Sequence, residues 1–128
     1  MKPQLSLALV TLVGFGIGAA TVQILHAQAK PPAYLISDVT VTDEEAYKEY
    51  VQKFPATLAP FGGKFLVRAG QTAAIPGAGD PSKRPVVVVF ESFEKAKAWS
   101  DSDAAKAIRP IRDRSAKIHA FLVEGVAN

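Results

Sequence analysis

The run PVVVVF, Pro85 to Phe90, narrows most sharply what this chain can fold into. It is a continuous apolar stretch set between the glycine- and proline-rich GQTAAIPGAGDPSKR and the polar Glu91-Ser92. Such a run reads as a short strand with apolar side chains on both faces. A strand of that kind belongs at the centre of a sheet that is covered above and below.

The flanking segments supply the rest of a small sheet and one helical layer. YLISDVTV, Tyr34 to Val41, is rich in β-branched and aromatic residues and reads as strand one. Thr42 and Glu45 have capping-box spacing, which predicts a helix starting at Thr42. Asp43, Glu44 and Glu45 suit the positive end of that helix. Tyr47, Tyr50, Val51, Phe54 and Leu58 then form one apolar face. Pro55 should kink this helix or split off its last turn, and Gly62 or Gly63 should end it.

KFLVRA, Lys64 to Ala69, is strand two. Gly70 to Arg84 is a long loop with the composition of a mobile lid. Its Gly77-Ala78-Gly79 is a weak phosphate-loop pattern, since no helix opens after it. Ser92 can cap a helix carrying Phe93, Ala96 and Trp99. SDSD, Ser100 to Asp103, marks a break and a fresh cap. The second piece, Ala104 to Ser115, places Ala105, Ile108, Ile111 and Arg112 near one face, with Pro110 inside. KIHAFLVEGV, Lys117 to Val126, is strand four. The order β-α-β-β-α-β predicts a ferredoxin-like α+β domain, with helices on one face of a four-stranded antiparallel sheet. Strands one and three are central, and strands two and four are edges.

Residues 1–29 have the pattern of a cleavable signal peptide: Lys2, an uncharged apolar run from Leu5 to Ala20, and Ala27-Gln28-Ala29 before the cut. An uncleaved anchor is the competing reading, and Gly14, Gly16 and Gly18 with the late Ala-x-Ala favour cleavage. The mature chain would be residues 30–128, one domain, periplasmic or secreted and free of the membrane. GFGIG in the apolar run lacks the strand and acidic residue that a nucleotide-binding glycine pattern needs. Lys2 is the only charged side chain in the leader, so the mature domain keeps all but one of the 15 basic residues against 12 acidic ones. A balance so near neutrality argues against nucleic acid as a partner. The chain has no cysteine, which excludes disulfides and thiolate chemistry. His119 is the only histidine outside the leader, so a multi-histidine metal site within one chain is excluded.

Several stretches, in this order and spacing, resemble the bacterial family called domain of unknown function 1330. They are VTD after strand one, GGKFLVRAG, RPVVVVFESFEKAKAW, Arg112 and the closing LVEGV. The resemblance runs from Tyr34 to about Val126. It implies a homodimeric α/β barrel in which the open sheet faces of two subunits pack around a shared interior. It also marks one departure: Ala105 stands where members commonly carry a tyrosine.

Alternation along the strands sorts the candidate site residues. In strand two, Phe65, Val67 and Ala69 share one face, and Lys64, Leu66 and Arg68 share the other. The apolar set is expected under the helices, which sends Arg68 to the open face. Tyr34, Ile36 and Asp38 are placed on that same face, where Asp38 and Arg68 could pair and do nothing more. Arg112, beside Ile108 and Ile111, could grip a carboxylate in a forked contact. His119 and Asp38 are the candidates for acid–base catalysis, while Tyr34, Asp38, Arg68 and Arg112 are the candidates for ligand binding. Trp99, Tyr47 and Phe93 read as core. No metal site and no cofactor are expected.

Two functions remain open on these residues. One is an exported dimer that binds or acts on a small, carboxylate-bearing molecule in the barrel interior. By analogy at the level of the fold, any turnover would be cofactor-independent acid–base, oxygenase or isomerase chemistry. The other is a non-catalytic structural or binding dimer whose interior polar groups only complete an interface.

Overall fold

The computed structural model describes residues 30–127. The leader, with its signal-peptide pattern and its GFGIG run, lies outside the described residues. The elements run β1 (Ala33–Val41), α1 (Glu44–Leu58), a short 3₁₀ turn (Ala59–Phe61), β2 (Lys64–Arg68), β3 (Pro85–Phe90), α2 (Phe93–Asp101), α3 (Asp103–Ser115) and β4 (Ala116–Glu124). The strands form one antiparallel sheet in the order β2-β3-β1-β4. The helices cover one face, giving the ferredoxin-like α+β arrangement expected from the element order.

Helix α1 begins one residue later than the capping-box spacing predicts. Its cap is Asp43, whose Oδ1 accepts from the Ala46 amide at 3.1 Å. Thr42 is held in the preceding turn, where its amide and that of Asp43 donate to the Ser115 carbonyl at 2.8 and 3.0 Å. Glu45 does not reach back to the cap, and its carboxylate meets Lys48 Nζ at 3.0 Å. A tertiary tie to the end of α3 thus outcompetes the local box. At the other end, Pro55 is accommodated within the helix, which then tightens into the 3₁₀ turn. Gly62 closes it in the left-handed conformation (φ 71°), with its amide on the Ala59 carbonyl.

Ser92 and Ser102 cap α2 and α3 through their side chains, so SDSD is the expected break. Helix α3 carries Pro110 internally and passes into β4 without a loop.

The core lies between sheet and helices in two clusters. One gathers Leu35, Phe54, Leu58, Val88, Phe90 and Ile108, with Trp99 edge-on to Phe54 (centroids 5.9 Å apart). The other gathers Val39, Tyr47 and Ala116. Tyr50 and Val86 touch both clusters. Phe93, expected in the core, instead starts α2 at the surface. On the opposite face of the sheet the side chains are exposed, among them Ile36, Leu66, Phe121 and Val123.

Candidate ligand-binding site

The side chain of Arg68 sets the location of the site, and it does not lie where strict alternation puts it. The β2–β3 register pairs Phe65 with Val88, Val67 with Val87 and Arg68 with Val86. Leu66 is therefore an extra residue in a bulge, and the alternation slips by one after it. Val86 and Val88 pack toward the helices. Arg68 joins them, and Val67 turns to the open face. The expectation that Arg68 points to the open face is thus corrected. Its guanidinium carbon lies 4.4 Å from the Phe65 ring centroid, beneath the helical layer.

Asp38 does lie on the open face, between the helix-facing Ser37 and Val39. Its Oδ1 accepts a hydrogen bond from Ser82 Oγ. The anticipated Asp38–Arg68 pair does not form, because the sheet separates the two side chains.

Arg68, itself exposed, borders a partly open cavity of about 100 Å³ between α1 and the sheet. Arg68, Arg84 and Arg112 line it, together with Ser37, Tyr47 and Tyr50. Its apolar wall includes Leu35, Val39, Phe54, Phe65, Trp99 and Ile118. No aspartate or glutamate contributes to the lining.

Each polar group has an identifiable support. Arg84 ends the long loop. Its carbonyl accepts from the Val39 amide at 3.2 Å, and its amide donates to Ser82 Oγ at 3.2 Å. These bonds pin the backbone and leave the side chain over Tyr47. Beside Arg68, Ala69 adopts φ 54°, and its amide donates to the Pro85 carbonyl at 2.8 Å. A left-handed alanine costs about 1–2 kcal/mol, so the surrounding structure holds it there. Arg112 sits in the last turn of α3, with Nε on Asp113 Oδ1 at 2.9 Å. Among the described residues, Arg68 and Arg84 have no acidic partner, and each guanidinium rests on an aromatic ring.

The phenols are neutral hydrogen-bonding groups. Burial pushes the Tyr50 hydroxyl up to about 12, against the opposing pull of the Arg112 cation. Burial also raises Tyr47, with Arg84 and Arg68 acting in the other direction. Neither hydroxyl hydrogen-bonds to another described residue. The Trp99 indole is held by its Nε1, which donates to Thr57 Oγ1 at 3.0 Å.

A second cavity of about 150 Å³ adjoins the first and shares Leu35, Tyr50, Trp99, Arg112 and Ala120 with it. Ala105, Ile108 and Arg109 belong to this second space alone. Arg109 is engaged there by the Ser100 carbonyl. On the outside, a groove of about 300 Å³ shares Tyr47, Val51 and Arg84 with the inner cavity, and these three form its mouth.

The candidates named from sequence therefore separate. Arg68 and Arg112 converge on the inner cavity. Tyr34, Asp38 and His119 lie on the open face, with His119 directly across from Asp38 in the β1–β4 register. Tyr34 packs against Gly125, where an added Cβ would fall 2.5 Å from the tyrosine ring. Sequence reasoning missed Arg84, Tyr47 and Tyr50. A signal for the tyrosines was present: two phenols three residues apart on an apolar helix face need a polar outlet. Among the described residues, no cluster of three or more histidine, cysteine, aspartate or glutamate side chains could hold a metal ion. No described helix is long and apolar enough to cross a membrane.

Comparison with solved structures places this fold among small α+β proteins. A protein of unknown function from Rhodopseudomonas palustris aligns with a TM-score of 0.61 at 11% identity, over 86% of this chain and 94% of its own. A protein of unknown function from Bacteroides thetaiotaomicron, described as a possible oxidoreductase, aligns with 0.55 at 14% identity, over 76% of this chain and 100% of its own. SnoaB, a cofactor-independent oxygenase from Streptomyces nogalater, aligns with 0.53 at 10% identity, over 77% of this chain and 96% of its own. At these identities the likeness concerns the fold. No curated protein matches the chain. The model of one family, Domain of unknown function (DUF1330), matches residues 32–126, and the chain belongs to that family.

Proposed function

We propose that this protein binds a small organic monoanion, a carboxylate with an apolar body, in the cavity between α1 and the sheet. The observation that carries the reading is the lining itself: Arg68, Arg84 and Arg112 line a largely apolar space to which no acidic residue contributes. Arg68 is exposed and Arg84 half-buried, and a carboxylate bound against the apolar wall would pair with them through forked, charge-assisted hydrogen bonds. Tyr47 and Tyr50 would donate to the same oxygens or to a polar substituent. The lining offers no imidazole or carboxylate, so binding is favoured over acid–base turnover. The likeness to a cofactor-independent oxygenase concerns the fold and adds no residue to that chemistry.

The protein acts as an exported homodimer in this proposal. The apolar open face, with Ile36, Leu66, Phe121 and Val123 exposed, supports pairing through the sheets. The leader pattern of residues 1–29 supports export, and the mass of the protein recovered from the periplasm or medium would test it. Calorimetric titration with benzoate, and with benzamide as its neutral counterpart, tests the site. Saturable benzoate binding that weakens at least tenfold in Arg84→Ala, with no binding of benzamide, is the expected result. Equal binding of acid and amide, or an Arg68→Ala/Arg84→Ala double variant that binds benzoate like wild type, would sink the reading.

A further inference from the structure

The inner cavity and its neighbour meet at Leu35, Tyr50, Trp99, Arg112 and Ala120, which line both. Beyond that seam the second space is polar as well as apolar, with Ser100 and Arg109 in its lining beside Ala105 and Ile108. The cations fall into two groups around two phenols. Burial raises Tyr47, and the cations that oppose the rise are Arg84 and Arg68. Burial raises Tyr50, and the cations that oppose it are Arg112 and Arg109. Arg68 and Arg84 have no acidic partner among the described residues. Arg109 donates to the Ser100 carbonyl, and Arg112 donates to Asp113 through Nε. The terminal amino groups of Arg112 and the Tyr50 hydroxyl make no hydrogen bond to a described residue. One phenol thus stands among cations that lack a counter-ion. The other stands beside a cation that already has one, with donors left over.

We infer that the ligand carries a second, neutral oxygen acceptor, a carbonyl set apart from its carboxylate by an apolar spacer, and that Tyr50 and Arg112 hold it at the seam. The inference rests on the carboxylate reading of the first cavity, and it gives the two tyrosines different partners. The carboxylate takes Arg68, Arg84 and Tyr47. The spacer lies against Phe54 and Trp99, whose indole is fixed by its bond to Thr57. The second oxygen takes the Tyr50 O–H and a terminal N–H of Arg112. A neutral oxygen suits that end because Asp113 already balances the Arg112 charge. A hydrocarbon placed there would cover a hydroxyl and a guanidinium and return no hydrogen bond, which is unfavourable. The ligand class is therefore an oxo-carboxylate with an apolar body.

The test compares acetylbenzoates with isopropenylbenzoates, in ortho, meta and para forms, by calorimetric titration. The members of each pair have the same shape and differ only in a carbonyl oxygen against a methylene group. At least one acetyl member should bind about tenfold more tightly than its hydrocarbon twin. That gap should close in Tyr50→Phe and in Arg112→Met. The infrared carbonyl stretch of the bound acetyl member gives a second readout, on the wild type, that needs no variant. It should lie at lower frequency than in water, and a stretch at or above the water value would count against the bond. If benzoate binds but every pair ties, the second oxygen is overturned while the carboxylate site stands. The same holds if the gap survives the two substitutions combined, or if isophthalate or terephthalate binds more tightly than every acetyl member. If neither benzoate nor any member of the series binds, both readings are overturned.

Discussion

The guanidinium carbon of Arg84 lies 5.2 Å from the ring centroid of Tyr47, where the outer groove meets the inner cavity. Arg84 comes from the end of the long loop and Tyr47 from the second turn of α1, so their contact joins the loop to the helical layer. It also holds a cation that has no acidic partner among the described residues at the mouth of an apolar space. Most of the expected behaviour of the protein follows from that placement.

The three cavity arginines should differ in their effect on carboxylate binding. Arg84→Ala and Arg68→Ala each remove a guanidinium that has no acidic partner among the described residues. A charge-assisted hydrogen bond is worth roughly 1.5–3 kcal/mol, so each change should weaken benzoate binding about ten- to a hundredfold. Arg112 already shares its charge with Asp113, and Arg112→Ala should cost less. Calorimetry on the three variants ranks them, and a larger loss in Arg112→Ala than in the other two would contradict the order.

Alkaline pH should destabilise the fold through its phenols. The folded Tyr50 is raised above its ordinary 10.0 to about 12, and Tyr47 is raised as well. The unfolded chain therefore releases these protons first. The stabilisation from keeping Tyr50 neutral is complete below pH 10 and disappears as pH climbs toward 12, a change on the order of 2–3 kcal/mol. Urea midpoints measured between pH 8 and 12 should fall across that upper window, and Tyr50→Phe should flatten the fall.

The Thr57 hydroxyl serves two partners: it accepts from Trp99 Nε1 at 3.0 Å and donates to the Phe54 carbonyl at 2.7 Å. Thr57→Val keeps the shape and leaves the indole N–H without its acceptor. The expected loss is about 1–3 kcal/mol by thermal or urea unfolding. The chain has one tryptophan, so its emission reports the change of environment directly.

Gly63 is set by close approach. A Cβ built there would lie 2.9 Å from Phe90 Cε1 and 3.2 Å from Leu58 Cβ, both in the main core cluster. Gly63→Ala should destabilise by about 1–3 kcal/mol through overpacking, read as a lower urea midpoint with an unchanged slope.

Ile36 and Phe121 face each other across β1 and β4 on the open face, 38% and 48% exposed. Phe121→Glu should convert the proposed homodimer to a monomer, with the circular dichroism of the fold retained. Light scattering coupled to gel filtration would show the mass halve. A wild-type protein that already elutes as a monomer would remove the dimer from the proposal.

Much of this architecture was legible in the chain. The alternation of Tyr34 to Val41 assigned its faces correctly, because β1 is regular along its length. Ser92 and the SDSD break located the starts of α2 and α3, since side-chain caps act locally. The Thr42 box failed where the Ser115 carbonyl claimed the backbone first. Arg112 was placed facing inward by its position beside Ile108 and Ile111, and it does line the cavity.

The sequence by itself determined the order of the elements, the central place of PVVVVF and the apolar faces that meet in the core. These follow from periodicity, which each short segment carries alone. Only the tertiary structure decided that Arg68 lies under the helices. One extra residue at Leu66 reverses the alternation, and nothing in KFLVR announces it, since the slip is defined against the partner strand. The site was decided in the same way. Arg68, Arg84, Arg112, Tyr47 and Tyr50 come from three elements and a loop end, and each has an ordinary local explanation. Their shared chemistry exists only where packing brings them around one cavity.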